Sequence, residues 1–128
     1  MIKQITRGVT VSVETFYQQR FSNPIKSQFL FAYKITIINN NDYSIQILRR
    51  HWYIVDANGT KRQVEGEGIV GEQPILEPGD SHEYVSYCDL NTDIGKMHGT
   101  YLLKRFVDDN NFYVKIPQFK LVVPYRLN

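Results

Sequence analysis

Apolar residues recur at every second position in segment after segment of this chain. That spacing belongs to half-buried strands, whose side chains alternate between two faces. Val9, Val11 and Val13 alternate with Thr10, Ser12 and Glu14, and the pattern continues through Tyr17. Phe29, Phe31, Tyr33, Ile35 and Ile37 line one face of a long second strand, with Lys34 and Thr36 opposite. A third, over about 45–55, sets Leu48, Trp52 and Ile54 on one face and His51 and Tyr53 on the other. Shorter strands are expected near 62–65, 82–88 and 100–106, and a hairpin partner from Phe112 to Val123. Asp56-Ala57-Asn58-Gly59, Glu77-Pro78-Gly79-Asp80 and Asp108-Asp109-Asn110-Asn111 supply turn chemistry between them. Pro117 cannot donate to a ladder, so it belongs at a bulge or an edge. No window of a dozen residues carries the 3.6-residue period of a helix.

The expectation is a single all-β domain over residues 1–128. About seven antiparallel strands would pack as an immunoglobulin/fibronectin-like sandwich, with the Gly66–Gly71 segment bending between the two sheets. Trp52, mid-chain on a strand, resembles the core tryptophan of immunoglobulin-like domains. A chain of 128 residues buries roughly two-thirds of its unfolded surface, enough for one core.

The net charge of +2 is too small to imply a nucleic-acid or anionic-membrane partner. Its distribution is uneven. No lysine or arginine lies between Arg62 and Lys96, a stretch holding Glu65, Glu67, Glu72, Glu77, Asp80, Glu83, Asp89 and Asp93. The one cysteine, Cys88, has no internal disulfide partner. No signal-like segment opens the chain and no apolar run approaches the ~20 residues of a membrane span, so a cytoplasmic setting is expected.

Gly66-Glu67-Gly68-Ile69-Val70-Gly71 fits the G-x-G-x-x-G pattern. In dinucleotide-binding folds those glycines serve a helix N-terminus that offers amides to a pyrophosphate. Here Pro74 and Pro78 follow too soon for a useful helix, and Glu65, Glu67 and Glu72 would repel phosphate. A tight loop is the plainer reading. His51, His82, His98, Cys88 and Asp89 show no metal-ligand spacing; His82 and Cys88 lie ~20 Å apart along one strand. Nothing flanking Cys88 resembles an activated-thiol motif, and a small apolar filler is expected there. Most aromatics belong to the core, whereas Tyr17, Tyr43, Tyr87 and Tyr125, near strand ends or turns, could form a protein-binding patch.

The central segment resembles the bacterial ApaG family. The resembling stretch runs Arg50-His51-Trp52-Tyr53-Ile54-Val55-Asp56-Ala57-Asn58-Gly59 and continues through Val64 to Pro74 and Leu76-Glu77-Pro78-Gly79. Tyr84, Ser86, Gly95 to Tyr101 and Ile116 to Leu121 extend it over nearly the whole chain. The resemblance implies a fibronectin type III-like sandwich associated with cobalt resistance and magnesium efflux. Domains of this kind within eukaryotic F-box proteins and a polymerase-interacting protein look like interaction modules. The bacterial gene often neighbours one for a diadenosine tetraphosphate hydrolase, which raises nucleotide binding. Where the family has Tyr-Thr-Ser-Gly, this chain reads Tyr84-Val85-Ser86-Tyr87, implying a less permissive backbone at Tyr87 or a local rearrangement.

The favoured expectation is a non-enzymatic module that acts through a protein partner in divalent-cation homeostasis, with no cofactor and no resident metal. Arg50, His51 and Tyr87 form its candidate interaction surface. The alternative is a small-molecule module holding a nucleotide polyphosphate or divalent cation at a loop made of Gly66, Glu67, Gly68, Gly71 and Gln73. Edge strands leave homodimerisation open.

Overall fold

The computed structural model describes residues 1–127. Nine strands follow in chain order: β1 (Ile2–Thr6), β2 (Val9–Tyr17), β3 (Phe29–Asn39), β4 (Ile45–Asp56), β5 (Lys61–Glu67), β6 (Ile75–Leu76), β7 (Ser81–Leu90), β8 (Ile94–Arg105) and β9 (Asn111–Val122). They form two antiparallel sheets, a four-stranded one ordered β1-β2-β3-β7 and a five-stranded one ordered β5-β4-β8-β9, with β6 also on β4. The sandwich expected from the alternation is the observed architecture. Short 3-10 turns at Gln19–Phe21, Pro24–Lys26 and Pro124–Leu127 are the only helical elements among the described residues. None of these is long and apolar enough to cross a membrane.

Two strands exceed the expected seven. β1 pairs with β2 through a turn in which Arg7 and Gly8 both take positive φ, the geometry of a two-residue type I′ hairpin. Its mostly exposed residues gave no alternation to read. β6 is two residues long and exists only by pairing with Ile45 and Gln46 of β4. The Gly66–Gly71 segment therefore does not bend from sheet to sheet. It leaves β4 at the end of β5 and returns to the same strand at β6. The crossing to the other sheet occurs at the following turn, where Gly79 has φ +84° and Asp80 accepts from the Glu77 amide.

The inward faces interdigitate in one core. Trp52 sits at its centre, edge-on to Tyr33 at 5.3 Å and to Phe119 at 5.9 Å. Each such aromatic contact adds about 0.5–1.5 kcal/mol beyond burial alone. Val9, Val11 and Val13 of β2 and Ile35 and Ile37 of β3 are buried, as their alternation requires.

Two irregularities set the register. In β9, Met97 of β8 faces Phe119 while Gly99 faces Ile116, so Pro117 and Gln118 together oppose one residue. Pro117 thus occupies both an edge strand and a bulge. In β4, Ile47 faces Leu103 but Arg49 faces Leu102, which makes Leu48 the extra residue of a second bulge. The bulge reverses the alternation: Ile45 and Ile47 point inward before it, and Trp52 and Ile54 after it. Leu48, expected on the core face with Trp52, is instead only half-buried, because a period-two reading cannot pass through an inserted residue.

Gly99 lies opposite Trp52, and a Cβ there would approach the His51 carbonyl oxygen to 2.1 Å. Gly99→Ala is expected to lower stability by about 1–3 kcal/mol or more, the usual cost of overpacking a fixed backbone. Urea denaturation checks this; an unchanged midpoint would show that β4 and β8 can separate freely.

Candidate functional site

One side of the sandwich is closed, with β9 lying against β1 and β2, where the Lys115 amide donates to Thr6 Oγ1. The other side, between β5 with its following loop and β7, is open. Here the sheets enclose a cleft of about 280 Å³ lined by Arg50, Trp52, Val64, Tyr84, Ser86 and Tyr87, among others.

Arg50 reaches this cleft because of the Leu48 bulge. After the inserted residue it shares inward parity with Trp52 and Ile54, and its cross-strand neighbours are Gly66 on one side and Tyr101 on the other. Gly66 makes room for the guanidinium: a Cβ there would lie 2.8 Å from both terminal nitrogens. Arg50 Nη1 then donates to the carbonyls of Glu67 at 2.9 Å and Gly68 at 3.1 Å.

The glycine motif now has a local physical account. Gly68 has φ +62°, and a Cβ there would sit 2.1 Å from the Glu72 carbonyl oxygen. Its amide donates to the Leu48 carbonyl, and Gln73 Nε2 donates to the same oxygen. Ile69 and Glu72 exchange backbone hydrogen bonds around Val70 and Gly71, which have φ +48° and +77°. Val70 is a β-branched residue in the left-handed region, an uncommon and strained placement. Ile69 is buried and anchors the loop in the core. The amides of Gly68, Ile69 and Glu72 are thus spent on the protein itself, and the chain continues into β6, not a helix. Glu67 is exposed beside Gly66, and Gln73 braces the bulge.

The three interaction-surface candidates divide. Arg50 and Tyr87 both line the cleft, and Tyr87 is 62% exposed. His51 lies on the outer face of the five-stranded sheet, where it stacks on Tyr53 at 4.5 Å and Tyr53 stacks on His98 at 5.0 Å. His51 Nδ1 contacts Glu65 at 2.9 Å and Nε2 contacts Gln63 at 3.0 Å. β7 runs regularly through Tyr87, which pairs with Ala32, so tyrosine fits there without a rearrangement. Of the other tyrosines, Tyr17 and Tyr43 pack against the core, while Tyr125 is exposed with its hydroxyl 3.2 Å from Asp93.

Tyr33, Tyr84 and Ser86 were not among the candidate residues, yet they bring hydroxyls to the cleft. The Tyr84 hydroxyl meets that of Tyr101. Burial raises the phenol pKa at Tyr33, Tyr84 and Tyr101, and the positive charge of Arg50 opposes it at all three. All three phenols stay protonated at neutral pH. Two exposed contacts flank the cleft. Arg62 reaches Asp89 at 3.4 Å on one side, and His82 approaches Glu72 at 4.0 Å on the other. Among the described residues no group of three His, Cys, Asp or Glu side chains converges as a metal site.

Two facing antiparallel sheets with one open, arginine-lined side define a fibronectin type III-like sandwich. The ApaG domain family model matches residues 19–105. Protein ApaG of Brucella canis is 44% identical over 124 residues, 97% of this chain and 95% of that protein. The corresponding protein of Brucella anthropi is 45% identical over the same shares. The solved structure of the ApaA protein from Bordetella pertussis shares 40% identity with a TM-score of 0.88, covering 91% of this chain and 94% of that one. The chain belongs to the ApaG domain family.

Cys88 is buried as an apolar filler, and burial pushes its thiol up to about 11, with the Arg62 guanidinium opposing. The unfolded chain ionises first, so this group's contribution to stability is complete below the ordinary thiol value of 9.0 and lost as pH rises to about 11. Wild type should therefore lose stability relative to Cys88→Ala over that window. Iodoacetamide at pH 8 should alkylate the native thiol at least ten-fold more slowly than the urea-unfolded one; equal rates would contradict a buried, protonated thiol.

Proposed function

We propose that this ApaG-domain protein is a non-enzymatic binding module that acts through a partner protein in cobalt and magnesium homeostasis in the cytoplasm. The observation that carries the reading is the edge of β7. A sheet edge offers unpaired backbone groups to any passing strand, and proteins blunt such edges with lysine, proline or bulges. β1 carries Lys3, β5 carries Lys61, and β9 carries Lys115, Pro117 and Lys120. β7, ten residues long, carries neither lysine nor proline. It pairs on one side with β3, and its outer face presents Val85 and Tyr87, 47% and 62% exposed. Addition of a partner strand to such an edge uses main-chain hydrogen bonds for affinity and neighbouring pockets for specificity.

The non-catalytic part of the proposal draws support from the placement of the reactive groups. Cys88 faces the core with a protonated thiol, whereas His51 and His98 stack on the outer face of the other sheet. The divalent-cation part of the proposal rests on the resemblance drawn from the sequence, and in it the metal is the partner's task. The polyphosphate reading gains little from the loop geometry, since the amides of Gly68, Ile69 and Glu72 are already bonded to protein carbonyls.

Capture from cell lysate with the full chain, with and without Mg²⁺ or Co²⁺, should recover a defined partner that Val85→Lys loses, because the new charge guards the edge. Retention of the same proteins by Val85→Lys would contradict docking at β7. Sedimentation showing a dimer that Val85→Lys dissociates would replace the partner with self-association.

A further inference from the structure

The cleft beside β7 has an unusual charge arrangement for this part of the chain. Glu65, Glu67, Glu72, Glu83 and Asp89 surround it in sequence, yet among the described residues no carboxylate lines it and Arg50 is its one charged lining group. None of the ion pairs among the described residues involves Arg50. The two side-chain hydrogen bonds of its guanidinium both leave from Nη1, toward the loop carbonyls. A guanidinium has five N–H donors in a planar fork, so donor capacity remains on a half-buried cation that no protein carboxylate claims. Hydroxyls of Tyr33, Tyr84 and Ser86 line the same space, and the rest of the wall is largely apolar, from Trp52, Ile54 and Val64.

We infer that this cleft binds one small organic monocarboxylate, its carboxylate on Arg50 and its apolar body against Trp52, Ile54 and Val64. Arginine and carboxylate match in shape and form two parallel hydrogen bonds, stronger in a partly dry site than in water. One guanidinium balances one negative charge. A polyphosphate would bring several, next to Glu67 and Glu72, with no second cation lining the cleft and the flanking Arg62 already paired with Asp89. The volume of about 280 Å³ lies just below the range of drug-sized pockets and restricts the ligand to a short chain or a single ring. The inference goes beyond the partner reading and does not rest on it, since it is carried by Arg50 and the cleft wall and not by the edge of β7.

Titration of the full ¹⁵N-labelled chain with acetate, hexanoate and 3-phenylpropionate tests it, with 3-phenylpropionamide and inorganic pyrophosphate as the contrasting arms. The expected result is saturable shifts at the Trp52 indole and the amides of Val70, Gly71, Ser86 and Tyr87 for at least one of the two larger carboxylates. The amide should bind at least ten-fold more weakly. Arg50 also braces the loop, so Arg50→Lys is paired with Val64→Glu, which keeps Arg50 and sets a competing carboxylate on the half-exposed cleft wall of β5. Each should weaken binding ten-fold or more in a chain whose spectrum stays dispersed. Equal binding of amide and acid, tighter binding of pyrophosphate, unchanged affinity in Val64→Glu, or no saturation with any of the three acids would each overturn the assignment.

Discussion

One inserted residue decides what the open side of this sandwich presents. Were β4 to run through Leu48 without a bulge, the alternation of Ile45 and Ile47 would continue to Arg49, and Arg50 would face solvent on the outer sheet surface. With it, Arg50 enters the space between the sheets, opposite the only kind of residue that leaves its guanidinium room, the glycine at position 66. Burying a cation is costly unless its donors are used, and the arginine donates to the carbonyls of Glu67 and Gly68. The same bulge exposes the Leu48 carbonyl, which takes the Gly68 amide and the Gln73 side chain. Bulge, arginine and glycine loop are therefore one structural unit, in which each part satisfies polar groups the others leave open.

That unit differs in strength from what flanks it. The core around Trp52 is held by fully buried aromatic and aliphatic contacts, and β9 seals the far side against β1 and β2. Across the open side the sheets meet through Arg62 and Asp89 and through His82 and Glu72, with carboxylates 76% and 68% exposed. Exposed pairs of this kind contribute typically about 0–1 kcal/mol and weaken with salt. The rim of the cleft can thus adjust around a ligand at little cost, while deeper in the Tyr84 and Tyr101 hydroxyls join the two sheets and Arg50 braces the loop. Val70, strained at positive φ, is exposed at the lip.

Strands with clean alternation were legible from the residues, and so were the turns at Gly59, Gly79 and Asp109, which take the positive φ their chemistry suggests. The position of Pro117 followed from its missing donor. What could not be read passes through the bulge. Ile45 and Ile47 are odd-numbered and Trp52 and Ile54 even-numbered, and that break in parity was the available signal that an extra residue intervenes. Missing it put Leu48 in the core; placing Arg50 with His51 on one surface had a different cause, since adjacent residues of one strand point to opposite faces. Tyr33, Tyr84 and Ser86 escaped notice for a different reason. Their own strands alternate properly, so they read as core, and only the meeting of β4 with β7 across the gap shows that their hydroxyls share a cleft. The motif glycines were correctly separated from a helix-based phosphate site, but their true tasks are set by atoms of Arg50 and Glu72 that no local pattern reveals.

Amide hydrogen exchange in wild type and Arg50→Gln examines the brace most directly. If the arginine holds the loop, the amides of Gly68, Ile69 and Glu72 should exchange at least ten-fold faster in the variant while the β4–β8 ladder keeps its protection. Unchanged protection at those three amides would show that the loop stands without Arg50, and the coupling of bulge, arginine and glycine motif into one unit would be refuted.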